Sequence, residues 1–305
     1  VQTIKWGALA VALLLLGIRL ADGSSVTAMV NTDDTPIMQW PDLLDQPRPA
    51  VDRTLAYGDD PLQVIDLWLP KGKGPHPVVV MIHGGCWQTD IATRDIMNYI
   101  AADLRNDGIA VWNVEYRGVD RAGGGYPGTY QDIGAAADLL ANQAKPLNLD
   151  LATTIAIGHS AGGHLALWLA ARPALAEGEP LRGNHPLRID AAISQAGIAD
   201  LRAAMARDGH ACGTDAPKAM AGDAFALTSP PEMPVSTAQQ IQFHTDRDKI
   251  APVEYARAYA AAMERRGVTV ETNVHGPEGH VELIAPASRS WAAQKARIKQ
   301  LLGRT

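Results

Sequence analysis

The chain has 305 residues, 47% of them hydrophobic and 20% charged, enough to build one large α/β domain or two small ones with an ample core. Its net charge is −6 and its pI about 5.8, and no basic run interleaved with aromatics offers a surface for a phosphate backbone, so nucleic acid is excluded as an expected partner. Two cysteines, Cys86 and Cys212, neither in a C-x-x-C spacing, exclude a cysteine-rich metal site and a dithiol redox motif.

The N-terminal stretch carries one Lys, then an apolar run from Trp6 to Ile18, then small and polar residues, which reads as a secretory signal over 1–28 ending near Ala28 or Ala21. The run is shorter than the roughly 20 residues of a spanning helix, so no stable membrane span is expected after processing; Arg19 directly after it leaves an uncleaved anchor as the alternative. Export would permit a Cys86–Cys212 disulfide, and two separate buried thiols are the competing reading. Residues 29–53, rich in Pro and Asp, read as an extended arm.

From about Thr54 to the end, β-type runs alternate with helical ones. VIDLWLP, HPVVVMIH, IAVWNVEYR, TTIAIG, DAAISQAG, QIQFHTD and VTVETNVHG are predicted strands. Helices are predicted within TRDIMNYIAADLRNDG, TYQDIGAAADLLANQ, AGGHLALWLAARP, PVEYARAYAAAMERRG and SRSWAAQKARIKQLLG. This alternation predicts a mostly parallel sheet covered by helices on both faces, with VVVMI and TIAI as doubly buried central strands. RNDG and RRG place Gly just past a helix end, with cations in the last turn. The interval 197–240 has no confident strand and is read as a cap insertion forming one wall of a substrate pocket.

Gly158-His159-Ser160-Ala161-Gly162 fits G-x-S-x-G between a predicted strand and helix. A sharp turn there exposes a serine beside helix amides, while the glycines remove Cβ atoms that would clash. A serine nucleophile needs a base and a carboxylate, expected in the order Ser, acid, His. The loop after QIQFHT offers Asp246 and Asp248; Asp248 is preferred as the acid, with Asp246 bracing the loop. His280, before VELI, is preferred as the base over His275 at the strand end. Gly84 and Gly85 after the strand ending at Ile82 allow a turn that turns the Gly85 and Cys86 amides, with that of Ala161, toward an oxyanion. His83 is read as bonding within that loop, Asp132 as an acid in an early helical turn and His164 as packed. Cys86 has no base placed for it as a nucleophile.

HGGCW, WNVEYRG, GGGYPGTYQDI, GHSAGGHLA and GHVELI together resemble the α/β-hydrolase superfamily, in its branch of esterases and kynurenine formamidases with H-G-G-x-W loops. The resemblance spans about Leu55 to Leu302 and implies an α/β-hydrolase fold with Ser160, Asp248 and His280 as catalytic triad and Gly85, Cys86 and Ala161 as oxyanion donors. Ala251, where relatives more often carry Val, departs from the pattern. It also suggests that Trp87 and Tyr126 border the pocket, ordinary aromatic packing being the other reading. The expected activity is hydrolysis of a small-molecule carboxylic ester of small or medium acyl group, without cofactor or metal. An arylformamidase with the same machinery is the alternative. A non-catalytic binding protein would be expected to have lost a triad position, and none is lost.

Overall fold

A computed structural model describes residues 35–304 apart from 208 and 210; the predicted secretory segment lies outside the described residues. Strands β1 (Arg53–Ala56), β2 (Val64–Trp68), β3 (His76–Ile82), β4 (Ala110–Val114), β5 (Leu149–His159), β6 (Ala191–Gln195), β7 (Gln239–Thr245) and β8 (Val270–His275) form one sheet, ordered β1-β2-β4-β3-β5-β6-β7-β8. β1 pairs antiparallel with β2 and β2 antiparallel with β4, while every pair from β4 to β8 is parallel. This is the mostly parallel, helix-covered sheet that the alternating pattern predicts, and it fits the α/β-hydrolase fold that the resemblance implies.

β3 and β5 lie at the centre, and Val78 to Ile82 and Ile155 to Ile157 are buried on both faces. Each such side chain removed from water contributes roughly 1.5–3 kcal/mol, which is why apolar runs without alternation occupy this place. The flanking helices are α1 (Trp40–Leu44), α2 (Asn98–Asn106), α3 (Gly128–Gln143), α4 (Ala161–Ala171), α5 (Leu201–Ala206), α6 (Asp215–Ala221), α7 (Phe225–Thr228), α8 (Glu254–Glu264) and α9 (Arg289–Leu301). α4 has no polar face because all eleven of its residues are buried. Among the described residues no helix is long and apolar enough to cross a membrane.

Two segments differ from expectation. The arm is not extended throughout: it contains α1, started by Pro41 in the first turn and by the Gln39 amide donating to Asp42 Oδ2 at 2.7 Å, and it runs into β1 at Arg53. The 197–240 interval holds three short helices, α5 to α7, between β6 and β7. In both, tertiary contacts stabilise helices too short to announce themselves by periodicity.

Candidate active site

β5 ends at His159 and α4 begins at Ala161, so Ser160 occupies a one-residue turn with φ 54° and ψ −118°. Its amide donates to the Gln195 carbonyl at 2.7 Å, which holds the turn against the end of β6. The close approach of strand and helix explains the flanking glycines. A Cβ at Gly158 would lie 2.0 Å from the Gly162 carbonyl oxygen, and one at Gly162 would lie 2.2 Å from that of Ile82. The serine is thus held in a backbone conformation that few residues adopt, at the N-terminus of a buried helix.

His280 Nδ1 donates to Asp248 Oδ2 at 2.6 Å. The other oxygen, Oδ1, accepts the amides of Ile250 and Ala251, each at 2.8 Å. Burial would raise the Asp248 carboxyl, but the bond and charge of His280 and these two amides hold it below its ordinary value. Ala251 acts here through its main chain, so its departure from Val leaves the acid loop intact. Asp246 takes the bracing part: its Oδ1 accepts the Glu278 amide at 3.3 Å, and its carboxylate fills the space where a Cβ on Gly276 would lie. His275 is half-buried at the end of β8, its ring stacked 5.8 Å from Phe243.

The loop carrying His280 is fastened at several points. Thr245 Oγ1 donates to the Gly279 carbonyl at 2.9 Å, and Glu282 Oε2 accepts the Gly279 amide at 3.0 Å. His159 Nε2 donates to the His280 carbonyl at 3.1 Å, and the two imidazoles lie 4.3 Å apart. Burial, reinforced by repulsion from His280, depresses the His159 pKa far below its ordinary value, so His159 stays neutral beside it.

After β3, Gly85 takes φ +100° and Cys86 φ 54°. Among the described residues the amides of these two donate to no carbonyl or side chain. His83 bonds within the loop as expected: Nδ1 lies 2.7 Å from the Gly84 oxygen and Nε2 2.8 Å from Glu115 Oε1. Burial would raise the Glu115 carboxyl, but the charge and hydrogen bond of His83 and the amides of Arg94 and Tyr116 hold it low. Cys86 is bridged to Cys212, which ties this loop to the segment between α5 and α6.

Ser160, His280, Gly85 and Cys86 line one cavity of about 420 Å³. Trp87 and Tyr126 are not among its lining residues. Trp87 is fully buried behind the loop and donates from Nε1 to His164 Nδ1 at 3.2 Å; His164 Nε2 in turn donates to the Thr228 carbonyl at 2.8 Å. Tyr126 packs on Gly222 at the end of α6, its amide bonded to the Ala219 carbonyl at 2.9 Å. An indole that follows a glycine turn is drawn inward by its area, and sequence alone does not show which side of the turn is core. Asp132 is structural, buried beneath a bidentate pair with Arg117 at 2.8 and 2.7 Å.

The sequence reading missed the cavity's other wall. Trp40 and Leu44 of α1 line it, and the one available signal was the helix start in Gln39-Trp40-Pro41-Asp42. His159 also lines it, and the pentapeptide pattern assigns that position no role.

Comparison with known proteins agrees with the fold. A segment of 119 residues is 30% identical to the probable isoprenylcysteine alpha-carbonyl methylesterase ICMEL1 of Arabidopsis thaliana, covering 39% of this chain and 24% of that protein. The chain spans about a quarter of the length of the curated relatives it matches. Among solved structures, a truncated carbohydrate esterase from gut microbiota superposes with a TM-score of 0.67 at 19% identity, covering 83% of this chain and 98% of that one. The propionate-bound esterase Est2 of Thermogutta terrifontis gives 0.67 at 20% identity, covering 84% and 94%. The family model of BD-FAE matches residues 65–263, which contain Ser160 and Asp248. The chain therefore belongs to the BD-FAE family and has the α/β-hydrolase fold.

Proposed function

We propose that the protein is a serine esterase that hydrolyses carboxylic esters of small or medium acyl groups through an acyl-enzyme. The reading is carried by the Asp248–His280 bond at Nδ1, which leaves Nε2 as the ring's acceptor, together with the placing of His280 and Ser160 on one cavity. Membership of a family of carbohydrate esterases supports it.

In the first step His280 Nε2 takes the Ser160 Oγ proton as Oγ bonds to the ester carbonyl carbon. The Gly85, Cys86 and Ala161 amides receive the negative charge that develops on the carbonyl oxygen, and the helix N-terminus at Ala161 favours it. Collapse breaks the bond to the alcohol oxygen, which leaves with the proton from His280. Water then repeats the sequence on the acyl-serine, releasing the acid and restoring Ser160. Asp248 keeps His280 in the tautomer this requires and stabilises the imidazolium.

An arylformamidase would use the same groups, so substrate decides between them. The experiment compares hydrolysis of a short-chain aryl ester with that of N-formylkynurenine, in wild type and Ser160→Ala. Faster ester turnover that disappears in the variant is expected; a preference for the formamide would overturn the ester reading. Export is proposed with it, supported by the apolar run Trp6 to Ile18 and by a disulfide of the kind that persists in oxidising compartments. Fractionation of cells expressing the full chain tests this.

A further inference from the structure

The arm that precedes the family-matched region forms one wall of the cavity. The Trp40 indole stands edge-on to both imidazoles, 6.1 Å from His159 at 78° and 6.3 Å from His280 at 74°. The arm is fastened where it matters for the site: Glu282 Oε1 accepts the Met38 amide, while its Oε2 accepts the amide of Gly279 beside His280. Farther along, Tyr99 Oη donates to the carbonyls of Leu44 and Gln46, and Arg48 pairs with Asp95. Trp40 and Leu44 are therefore held in place by side chains of the hydrolase core, although both lie outside residues 65–263.

The rest of this wall is aliphatic, from Ile91, Ala92, Ile96 and Ile250, and among the described residues no Lys, Arg, Asp or Glu lines the cavity. Ile91 is 58% and Leu44 37% exposed. A single exposed aliphatic side chain means little; two on one cavity, continuous with an apolar lining, mark a surface kept for an apolar ligand. At the other end stand the serine, the base and the Gly85 and Cys86 main chain, so polarity falls away from the reacting atoms. Cavities of this size and lining take small apolar groups fixed by a few polar contacts.

We infer that the arm helix α1 sets acyl specificity: Trp40 closes the acyl cavity beside His280, and Leu44 with Ile91 carries the distal carbons of an uncharged, apolar acyl group. This rests on the esterase reading above. It commits the substrate to esters whose acyl part is neutral and apolar, and places part of the control of its length in α1, outside the matched family region that contains Ile91.

The experiment measures kcat/KM for p-nitrophenyl acetate, butyrate and octanoate in wild type, Trp40→Ala, Ile91→Ser and Ser160→Ala. Removing the indole should raise the octanoate-to-butyrate ratio by about tenfold, the scale of discrimination that one or two methylenes give in an apolar pocket. Ile91→Ser, at an exposed position that spares the fold, should lower the octanoate-to-acetate ratio by about threefold to tenfold. If Trp40→Ala folds poorly, Leu44→Ser at the exposed end of α1 decides, and its octanoate-to-acetate ratio should fall by about threefold to tenfold. Ratios that stay at the wild-type value, or rates that fall equally for all three esters, overturn the inference and leave the esterase reading standing. A wild type that hydrolyses none of the esters overturns both.

Discussion

His280 Nδ1 lies 2.6 Å from Asp248 Oδ2, while Asp246, two residues earlier, accepts a main-chain amide of the histidine's own loop. The two carboxylates thus divide the work between them. Asp248→Asn should keep the geometry but lose the charge that stabilises the imidazolium, lowering kcat by about 10³–10⁴-fold. Asp246→Asn still fills the space beneath Gly276 and should cost about tenfold or less, chiefly through a looser loop. Steady-state kinetics on one aryl ester with both variants checks this; a larger loss at Asp246 would move the acid.

Ser160, the proposed nucleophile, has a backbone φ of 54°. Ser160→Ala should lower turnover by about 10⁴-fold or more with little change in thermal midpoint. Ser160→Gly should be as inactive, yet more stable than Ser160→Ala by about 1 kcal/mol, because glycine removes the Cβ that makes this conformation costly. Urea unfolding of the two variants measures the difference, and equal stabilities would mean that the turn is not strained.

The Cys86–Cys212 bridge joins residues 126 positions apart with Cα atoms 5.2 Å apart, an ordinary separation for a disulfide. Labelling of denatured, unreduced protein should find no free thiol. Cys212→Ser should cost about 2–5 kcal/mol of stability, since the long loop is no longer closed in the unfolded chain. It should also lower kcat, because the freed Cys86 main chain is one of the proposed oxyanion donors. Loss of stability with an unchanged kcat would show that the loop holds its shape without the bridge.

Burial pushes the His164 pKa down to about 4, and its ring is committed to Trp87 on one side and the Thr228 carbonyl on the other. Between pH 6.5 and 4 the unfolded chain takes up a proton that the folded chain excludes, so stability rises with pH through this window. At pH 5 the one histidine should cost about 2 kcal/mol relative to pH 7. Denaturation midpoints at the two pH values check this: the fall should be smaller in His164→Gln, and an equal fall would assign the acid sensitivity elsewhere. His244, also buried and pushed down to about 4, adds to the same limb.

The central strands β3 and β5 were legible because a doubly buried strand admits little but apolar, largely β-branched residues, whereas the edge strand β8, half-buried to exposed, was legible from its β-branched residues between turn signals. The elbow was legible for a similar reason: strand and helix pass so closely at Gly158 and Gly162 that a Cβ has no room, and that requirement is written in the residues themselves. Ser160, His280 and the glycine turn before Cys86 follow from chain order and from the needs of the chemistry.

Other features depended on which surfaces meet. Trp87 goes inward to His164 and Trp40 comes over the site, although an indole is equally suited to either setting. α1 is only five residues long, and its place is held by Glu282 and Tyr99, partners far away in the chain. The pairing of Cys86 with Cys212 likewise needed the folded distance. Local sequence determined the strands and the nucleophile's turn, because backbone sterics and burial act over a few residues. Tertiary structure alone decided the cavity wall, the disulfide and the partner of each buried imidazole, because those depend on contacts between segments that the chain order leaves apart.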